Sequence, residues 1–234
     1  MSRLSDLDCF YDLLQRLEER IQGPHSLTEP GVRYHLPERG VYFFYEPGEL
    51  RSGADQSRVV RVGTHAVSAG SKTILWQRLS QHRGTLSGKM SGGGNHRGST
   101  FRLHVGTALM NRGDVPKVLS WGKNLPKHQV DQQLEYKIEQ AVSKHIRSMH
   151  FLWMNVDDPP GKESKRKFIE RNAVALLSNA GKDPIDLPSE KWLGKWADHE
   201  LIQESGLWNV HHGDETYEPE FLVVMEKYVE RTGL

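Results

Sequence analysis

Residues 40–45 read Gly-Val-Tyr-Phe-Phe-Tyr, and residues 59–63 read Val-Val-Arg-Val-Gly. β-Branched and aromatic residues of this kind favour extended strands, and Pro37 before the first run with Pro47 and Gly48 after it mark its ends. A polar loop joins the two runs. The runs therefore predict neighbouring strands of one sheet, around which the rest of the chain is organised.

The stretch after the second strand predicts a helix that carries Arg78 and His82. Its apolar residues, Ile74, Leu75 and Leu79, fall on a different face of that helix. Arg78 and His82 are four residues apart, so on a helix they point the same way. Two strands that lead into a helix with an arginine and a histidine on one face are typical of a functional site.

Apolar residues repeat at helical spacing in three further stretches, residues 3–21, 128–149 and 165–178. Residues 151–156, Phe-Leu-Trp-Met-Asn-Val, form an apolar run that is typical of a third strand. The predicted fold class is α+β (mixed α/β), with a small three-stranded sheet flanked by helices and helical additions at the N-terminal and C-terminal ends.

Prolines and glycines divide the chain into three parts. Residues 1–36 hold an N-terminal helix and a connecting loop, residues 37–181 hold the core, and residues 182–234 form an acidic, mainly helical C-terminal extension. In the extension, the adjacent His211 and His212 would point to opposite sides of an extended chain, which makes them a poor pair of metal ligands.

Composition excludes several classes of protein. With 36% hydrophobic and 26% charged residues, the 234-residue chain has enough apolar side chains for a core. It contains no apolar run near the roughly 20 residues that a membrane-spanning helix needs, and its polar start is unlike a secretory signal. Cys9 is the only cysteine, so an internal disulfide is impossible. We expect a protein of the cytoplasm.

Charges are divided unevenly along a chain whose formal net charge is +1. Residues 58–112 contain nine lysines and arginines and no acid, whereas residues 181–234 contain twelve acids and five bases. An acid-free basic stretch is the electrostatic footprint of a protein that binds a phosphate backbone. The alternative is a solvated basic face without a ligand.

A glycine-rich insertion, residues 84–100, forms the centre of the basic stretch. Because glycines let a backbone approach phosphates closely, we predict that this segment becomes ordered against the phosphate backbone of a nucleic acid. The alternative is a disordered surface loop in the free protein. We nominate as contacts to that nucleic acid six polar and basic side chains of the basic stretch, Lys72, Lys89, Asn95, His96, Arg97 and Arg102.

Two predicted helices follow this segment in the sequence. We expect Ser99 or Thr100 to cap the helix that follows the glycines. Glu135 and Glu139 lie on the long helix predicted over residues 128–149. We interpret both as surface charges rather than metal ligands.

The order Gly40-Val41-Tyr42, then Arg61-Val62-Gly63, then Arg-x-x-x-His at 78–82 resembles the GIY-YIG nuclease family. Arg61 is the departure, since the family more often has tyrosine at that place. The small restriction endonucleases of the family are similar in tolerating such a change, so the resemblance points to the type II restriction endonuclease branch. It extends from residue 40 to residue 180 and requires a glutamate on the helix after the third strand.

Glu170 matches that glutamate. The resemblance implies that its carboxylate holds one Mg²⁺ (or Mn²⁺), a hard cation that accepts one carboxylate together with waters and phosphate. Asn179 is similar to the asparagine of the family, with Asn172 as a rival position.

The remaining family residues imply how a phosphodiester bond would be hydrolysed. Arg78 would bind the scissile phosphate. Tyr42 would orient or deprotonate the attacking water, and His82 would accept the proton of Tyr42. Arg61 would bind phosphate or help to lower the pKa of Tyr42. The predicted catalytic residues are Tyr42, Arg61, Arg78, His82, Glu170 and Asn179.

The function that follows is sequence-specific cleavage of double-stranded DNA. A symmetric duplex site implies a homodimer or homotetramer, and restriction implies a cognate DNA methyltransferase as functional partner in a prokaryotic cytoplasm. One alternative is a DNA-binding protein on a nuclease scaffold that does not cut. The other is a DNA-repair or homing-type nuclease, for which we expect a second DNA-binding domain that the residues outside the core are too few and too acidic to form.

Overall fold

The computed structural model describes residues 2–233. In this range four strands form one antiparallel sheet in the spatial order β1-β4-β2-β3, with β1 at His25–Ser26, β2 at Gly40–Leu50, β3 at Ser57–Gly63 and β4 at His150–Asn155. Seven α-helices accompany it, α1 Arg3–Ile21, α2 Leu75–Arg83, α3 Thr100–Arg112, α4 Gln132–Arg147, α5 Lys165–Leu177, α6 Glu200–Ser205 and α7 Glu220–Arg231. The predicted α+β class is confirmed, and β1 is a two-residue strand beyond the three predicted.

Strand β2 is the centre of the core because it pairs on both sides. Tyr42 lies opposite Gly63 of β3 and Trp153 of β4. Residues 40–44 are all buried, so both faces of the strand are covered. This explains why the run contains no polar alternation.

Helices cover the two faces of β2 as two layers. Because successive side chains of a strand point to opposite faces, Phe43 packs edge-to-face on Phe10 of α1, whereas Phe44 packs on Phe101 of α3. On the first face, α1 packs with α5 and α7; on the second, α4 packs with α2 and α3. In residues 2–233 we find no helix with the length and apolarity needed to cross a membrane.

The hairpin between β2 and β3 differs from the prediction. The turn residues predict that β2 ends before Pro47, but the strand continues through Pro47 and Gly48 to Leu50. The pairing register shifts between Tyr45 and Leu50, and the proline is exposed. A bulged, exposed stretch of strand accommodates proline because no ladder hydrogen bond is needed from its nitrogen.

The acidic extension covers the outer edge of β3. The Trp208 N–H donates to the Val60 carbonyl at 2.8 Å. The Asn209 side chain accepts from the Val62 N–H at 3.1 Å and donates to the Val62 carbonyl at 2.8 Å. These bonds satisfy backbone groups that an edge strand would otherwise leave open. They also bring the extension next to Arg61, the neighbour of both valines.

Candidate active site

A chain of hydrogen bonds joins β2, α2 and the start of α3. The Tyr42 hydroxyl lies 2.8 Å from Nε2 of His82, and Nδ1 of His82 lies 2.9 Å from Oγ of Ser99. Tyr42 and His82 are both 0% exposed. Burial, followed by the charges of Arg78 and Arg61, lowers the pKa of His82 well below its ordinary value. The imidazole is therefore neutral at pH 7, and with its proton on Nδ1 it leaves Nε2 to accept a proton from Tyr42.

Gly63 leaves the space that the Tyr42 ring occupies. The two residues are directly opposite each other on neighbouring strands. A Cβ atom at Gly63 would lie 2.4 Å from the Tyr42 hydroxyl oxygen, closer than any nonbonded contact allows. The glycine of the Arg-Val-Gly motif is thus required by the packing of the tyrosine ring above it.

Replacing Gly63 with alanine will therefore lower stability by about 1–3 kcal/mol, because the added methyl overpacks a buried site. Urea unfolding measures this change. Gly98→Ala is the control, since a Cβ atom there meets its nearest neighbour at 3.6 Å. Equal stability of the Gly63→Ala and Gly98→Ala proteins would contradict the tight packing of Tyr42 on Gly63.

Arg61 lies beside the Tyr42–His82 pair with part of its hydrogen-bonding capacity unused. It is 8% exposed, stacks over the Phe101 ring at 4.8 Å, and donates from Nη1 to the Trp208 carbonyl at 2.8 Å. Its Nε finds no hydrogen-bond partner among the described residues. The pKa of Arg61 is lowered overall because of burial, and the nearby Tyr42 opposes part of this shift. A buried arginine with an unmet donor is suited to an anionic ligand.

Arg78 supplies a second positive charge. It is half-buried and donates from Nη1 to the Gly98 carbonyl at 3.3 Å. Its charge acts on three groups of the site, since it lowers the pKa values of His82, Arg61 and Glu170. The two arginines outweigh the single carboxylate, so the site favours a phosphate.

Glu170 provides that carboxylate from α5. Burial raises the pKa of Glu170, while Arg61, His212 and the Thr64 backbone N–H lower it. Among residues 2–233, no group of three or more His, Cys, Asp or Glu side chains forms a metal site. One carboxylate still suits Mg²⁺, which keeps several waters and also binds substrate phosphate oxygens. Glu170 is therefore the residue that would hold such an ion.

The structure brings together five of the six predicted catalytic residues and places Asn179 elsewhere. The Asn179 side chain accepts hydrogen bonds from the Ile185 N–H at 2.8 Å and from Arg3 at 3.3 Å. Its rival, Asn172, donates to Phe168 and accepts from the Glu218 N–H. Both amides hold loops around α5, so the geometry gives neither of them a part in the cluster.

The predicted DNA contacts divide into two groups. Lys72, Lys89 and Asn95 are exposed. His96 and Arg102 are 3% and 0% exposed, and they share the carboxylate of Glu139. Arg97 is held by Glu135 through two hydrogen bonds of 2.7 and 3.0 Å. Within the part of the chain that the structure describes, the Lys72 and Lys89 side chains are free to meet DNA, whereas the Asn95 side chain already accepts from the Arg97 N–H at 3.1 Å.

Glu135 and Glu139 are not surface charges, which corrects our interpretation. They are 7% and 4% exposed, and they form ion pairs with Arg97 and Arg102, respectively. The basic stretch looked free of acids because its partners come from α4, outside the sequence window. Part of its charge is therefore neutralised inside the protein.

The glycine-rich segment packs on Arg102 in the protein alone. A Cβ atom at Gly94 would lie 2.2 Å from the Arg102 guanidinium, and one at Gly84 would lie 2.3 Å from the Gly93 carbonyl. Thr85 and Gly92–Gly93 also exchange backbone hydrogen bonds of 2.8 and 2.9 Å. These glycines thus make room for a buried side chain and its enclosing backbone.

Sequence reasoning missed three residues of the site. Ser99 caps α3, as one of two predicted positions, but its bond to His82 had no signal in the sequence. Trp208 and Asn209 contact Arg61 and β3 from a segment almost 150 positions further along. A polar residue followed by an apolar helical run reveals a cap, whereas contacts of such long range leave no local pattern.

His65 makes stability depend on pH. Burial, followed by the charge of Arg166, lowers the pKa of His65 to about 4. Protons therefore bind the unfolded chain more readily than the folded one, and stability falls as pH drops from about 6.5 towards 4, by at most about 1.4 kcal/mol per pH unit. His65→Gln will flatten this fall, as urea midpoints at pH 7.5 and 5 would show. His128→Gln, an exposed control, will not.

A family model described as GIY-YIG domain matches residues 1–234. No curated protein and no solved structure shows a significant match to the chain. The match covers the strands that carry Tyr42 and Arg61, the helix that carries Arg78 and His82, and the helix that carries Glu170. The chain therefore belongs to the GIY-YIG family, whose members are nucleases that act on DNA.

Proposed function

We propose that this protein is a type II restriction-like endonuclease that hydrolyses double-stranded DNA at specific sites with one divalent metal ion. The observation that carries the proposal is the buried Tyr42–His82–Ser99 chain beside Arg61, Arg78 and Glu170. It combines a proton acceptor, two cations for a phosphate and one hard metal ligand. These groups could activate the attacking water, offset charge on the phosphoryl oxygens and assist the leaving oxygen, which are the three tasks in hydrolysis of a phosphodiester bond.

Proton transfer begins at Tyr42. As the water oxygen bonds to phosphorus and the P–O bond to the leaving oxygen breaks, the water proton passes to the Tyr42 oxygen and the Tyr42 proton passes to Nε2 of His82. The leaving oxygen takes a proton from solvent. In the tautomer with the His82 proton on Nδ1, Ser99 Oγ accepts it over 2.9 Å and so keeps the ring in the orientation that receives the Tyr42 proton. Burial and the charges of Arg78 and Arg61 disfavour the imidazolium, so it then returns its proton to solvent through Tyr42.

Charge on the phosphate is met by two arginines. The unused Nε of Arg61 and the half-buried Arg78 can donate to phosphoryl oxygens as negative charge develops there. A divalent ion at Glu170 would add a further positive charge at the phosphoryl oxygens and the leaving oxygen. Tyr42 has no exposed surface in the free protein, so we infer that DNA uncovers its hydroxyl as it binds.

Cleavage of mixed plasmid and phage DNA tests the function. We expect discrete fragments with Mg²⁺ or Mn²⁺ and none with a chelator. A smear would contradict sequence specificity and favour a repair-type or homing-type nuclease. Binding without cutting in every metal would favour the alternative of a DNA-binding protein on a nuclease scaffold.

Tyr42→Phe will lower the cleavage rate about 100-fold, because the variant keeps the packing of the ring and loses the hydroxyl that takes the proton of water. Single-turnover kinetics with enzyme in excess measure the rate. Tyr45→Phe is the matched control: it makes the same change on the same strand, where the hydroxyl has no side-chain hydrogen bond within the described residues. If both variants cut at the rate of the unmodified protein, Tyr42 has no part in proton transfer.

Assembly and partners form part of the same proposal. A symmetric recognition site calls for two active sites on two strands, which a homodimer or homotetramer provides. Protection of host DNA calls for a cognate methyltransferase. Light scattering with and without a cleavable duplex tests assembly, and a monomer at all concentrations would contradict it.

A further inference from the structure

A cleft of about 460 Å³ opens beside the catalytic cluster. One wall is the backbone turn of residues 97–100 before and at the start of α3, and the other is the loop of residues 122–124. Its volume is within the range of small-molecule sites. Of the residues that line the cleft, Ser99 alone belongs to the hydrogen-bonded chain of the catalytic cluster, and it is 1% exposed.

Hydrogen bonds connect this cleft directly to the cluster. The Gly98 carbonyl accepts from Arg78, the proposed phosphate ligand, at 3.3 Å. Ser99, the next residue, contacts His82 at 2.9 Å. A strand whose scissile phosphate lies on Arg78 would therefore place an adjoining nucleotide at the mouth of the cleft.

A hydrogen bond, an ion pair and a stacked ring pair hold the two walls at a fixed separation. The Arg97 guanidinium donates to the Lys123 carbonyl at 3.2 Å across the cleft, and Glu135 fixes the guanidinium. His96 stacks on Trp121 at 3.8 Å and accepts from the Gly122 N–H at 3.2 Å. A shape held in this way before the ligand arrives is a property of binding sites.

The side chains that face this space carry unused polar groups. Thr100, Lys123 and Asn124 line the cleft and are exposed, and within residues 2–233 the hydrogen bond formed here uses the Lys123 backbone carbonyl rather than these side chains. Asparagine presents a donor and an acceptor together, which matches the edge of a base, whereas lysine matches a phosphate as a point charge.

We propose that this cleft binds a nucleotide next to the scissile phosphate, with Asn124 reading the edge of its base and Lys123 contacting the backbone. The inference rests on the proposed function, because it takes Arg78 as the phosphate ligand. It also gives His96 and Arg97 a role: they position the walls of the cleft and do not read bases themselves.

Binding measurements test the cleft independently of cleavage. A duplex is enriched from a random pool by binding to the protein, and its affinity is compared with that of a scrambled duplex at several salt concentrations. Asn124→Ala will reduce the affinity ratio about tenfold, in the range of one lost base contact. Lys123→Ala will weaken both duplexes equally and lower the salt slope by about one.

Two control variants leave the cleft unchanged, and each contradicting outcome identifies which of the two proposals fails. Gln133→Ala and Lys117→Ala change exposed residues outside the cleft, and neither will alter the affinity ratio. An unchanged ratio in Asn124→Ala together with an unchanged slope in Lys123→Ala would overturn the cleft proposal alone. Binding that follows our expectations without any cleavage would overturn only the nuclease function, and the absence of DNA binding would overturn both.

Discussion

Replacement of Glu170 with glutamine will reduce the rate of DNA cleavage about 1000-fold while DNA binding is retained. Glutamine has nearly the same shape as glutamate but is a poor ligand for Mg²⁺. The expected loss of rate is of the size found when one group that stabilises charge in the transition state is removed. Single-turnover cleavage with saturating Mg²⁺ measures the rate, and fluorescence anisotropy of a labelled duplex measures binding.

The same variant will not lose stability. Burial raises the pKa of Glu170, so the carboxyl favours the folded state only at low pH and opposes it once ionised. At pH 7 to 8 glutamine removes that opposition, and the free energy of unfolding will stay equal or rise. Glu163→Gln, an exposed position before α5, is the control for both measurements. A Glu170→Gln protein that cuts DNA at the normal rate would contradict the assignment of Glu170 as a metal ligand.

Replacement of Arg102 with alanine will destabilise the fold by about 3–5 kcal/mol. Arg102 is 0% exposed, and its guanidinium bonds to the Glu139 carboxylate, to the His82 carbonyl at 2.7 Å and to Ser143 at 2.9 Å. Removing it leaves Glu139 buried with only His96 as partner, and the loss of one partner of a buried pair has an effect of this size. Urea unfolding at pH 7.5 measures the change.

Two further variants decide between a structural and a DNA-contacting arginine. Lys89→Ala, in the exposed part of the glycine-rich segment, will change stability by no more than about 0.5 kcal/mol. Arg102→Lys keeps the charge but loses the forked hydrogen bonds, so it will unfold at lower urea. If Arg102→Lys instead kept full stability and lost DNA affinity, the sequence-based assignment of Arg102 to DNA would stand.

Local patterns in the sequence predicted the elements of the fold. The aromatic run at residues 40–45 predicted β2, and the spacing of apolar residues predicted α1 and α5, because strand and helix periods are properties of neighbouring residues. The order of Tyr42, Arg61 and the Arg78/His82 pair also indicated the family, which the family match confirms. The family match covers the whole chain, including the parts that the resemblance did not reach.

The sequence by itself therefore determined the α+β class, the family and the types of side chain that could do chemistry. Only the tertiary structure decided which charges are free. Arg102 and Lys89 look alike in the basic stretch of residues 58–112, yet Arg102 is buried against Glu139, which comes 37 positions later, and Lys89 is exposed. The reason is physical: the free energy of a charge depends on burial and on partners brought close by packing, and neither quantity is encoded in the residues next to it.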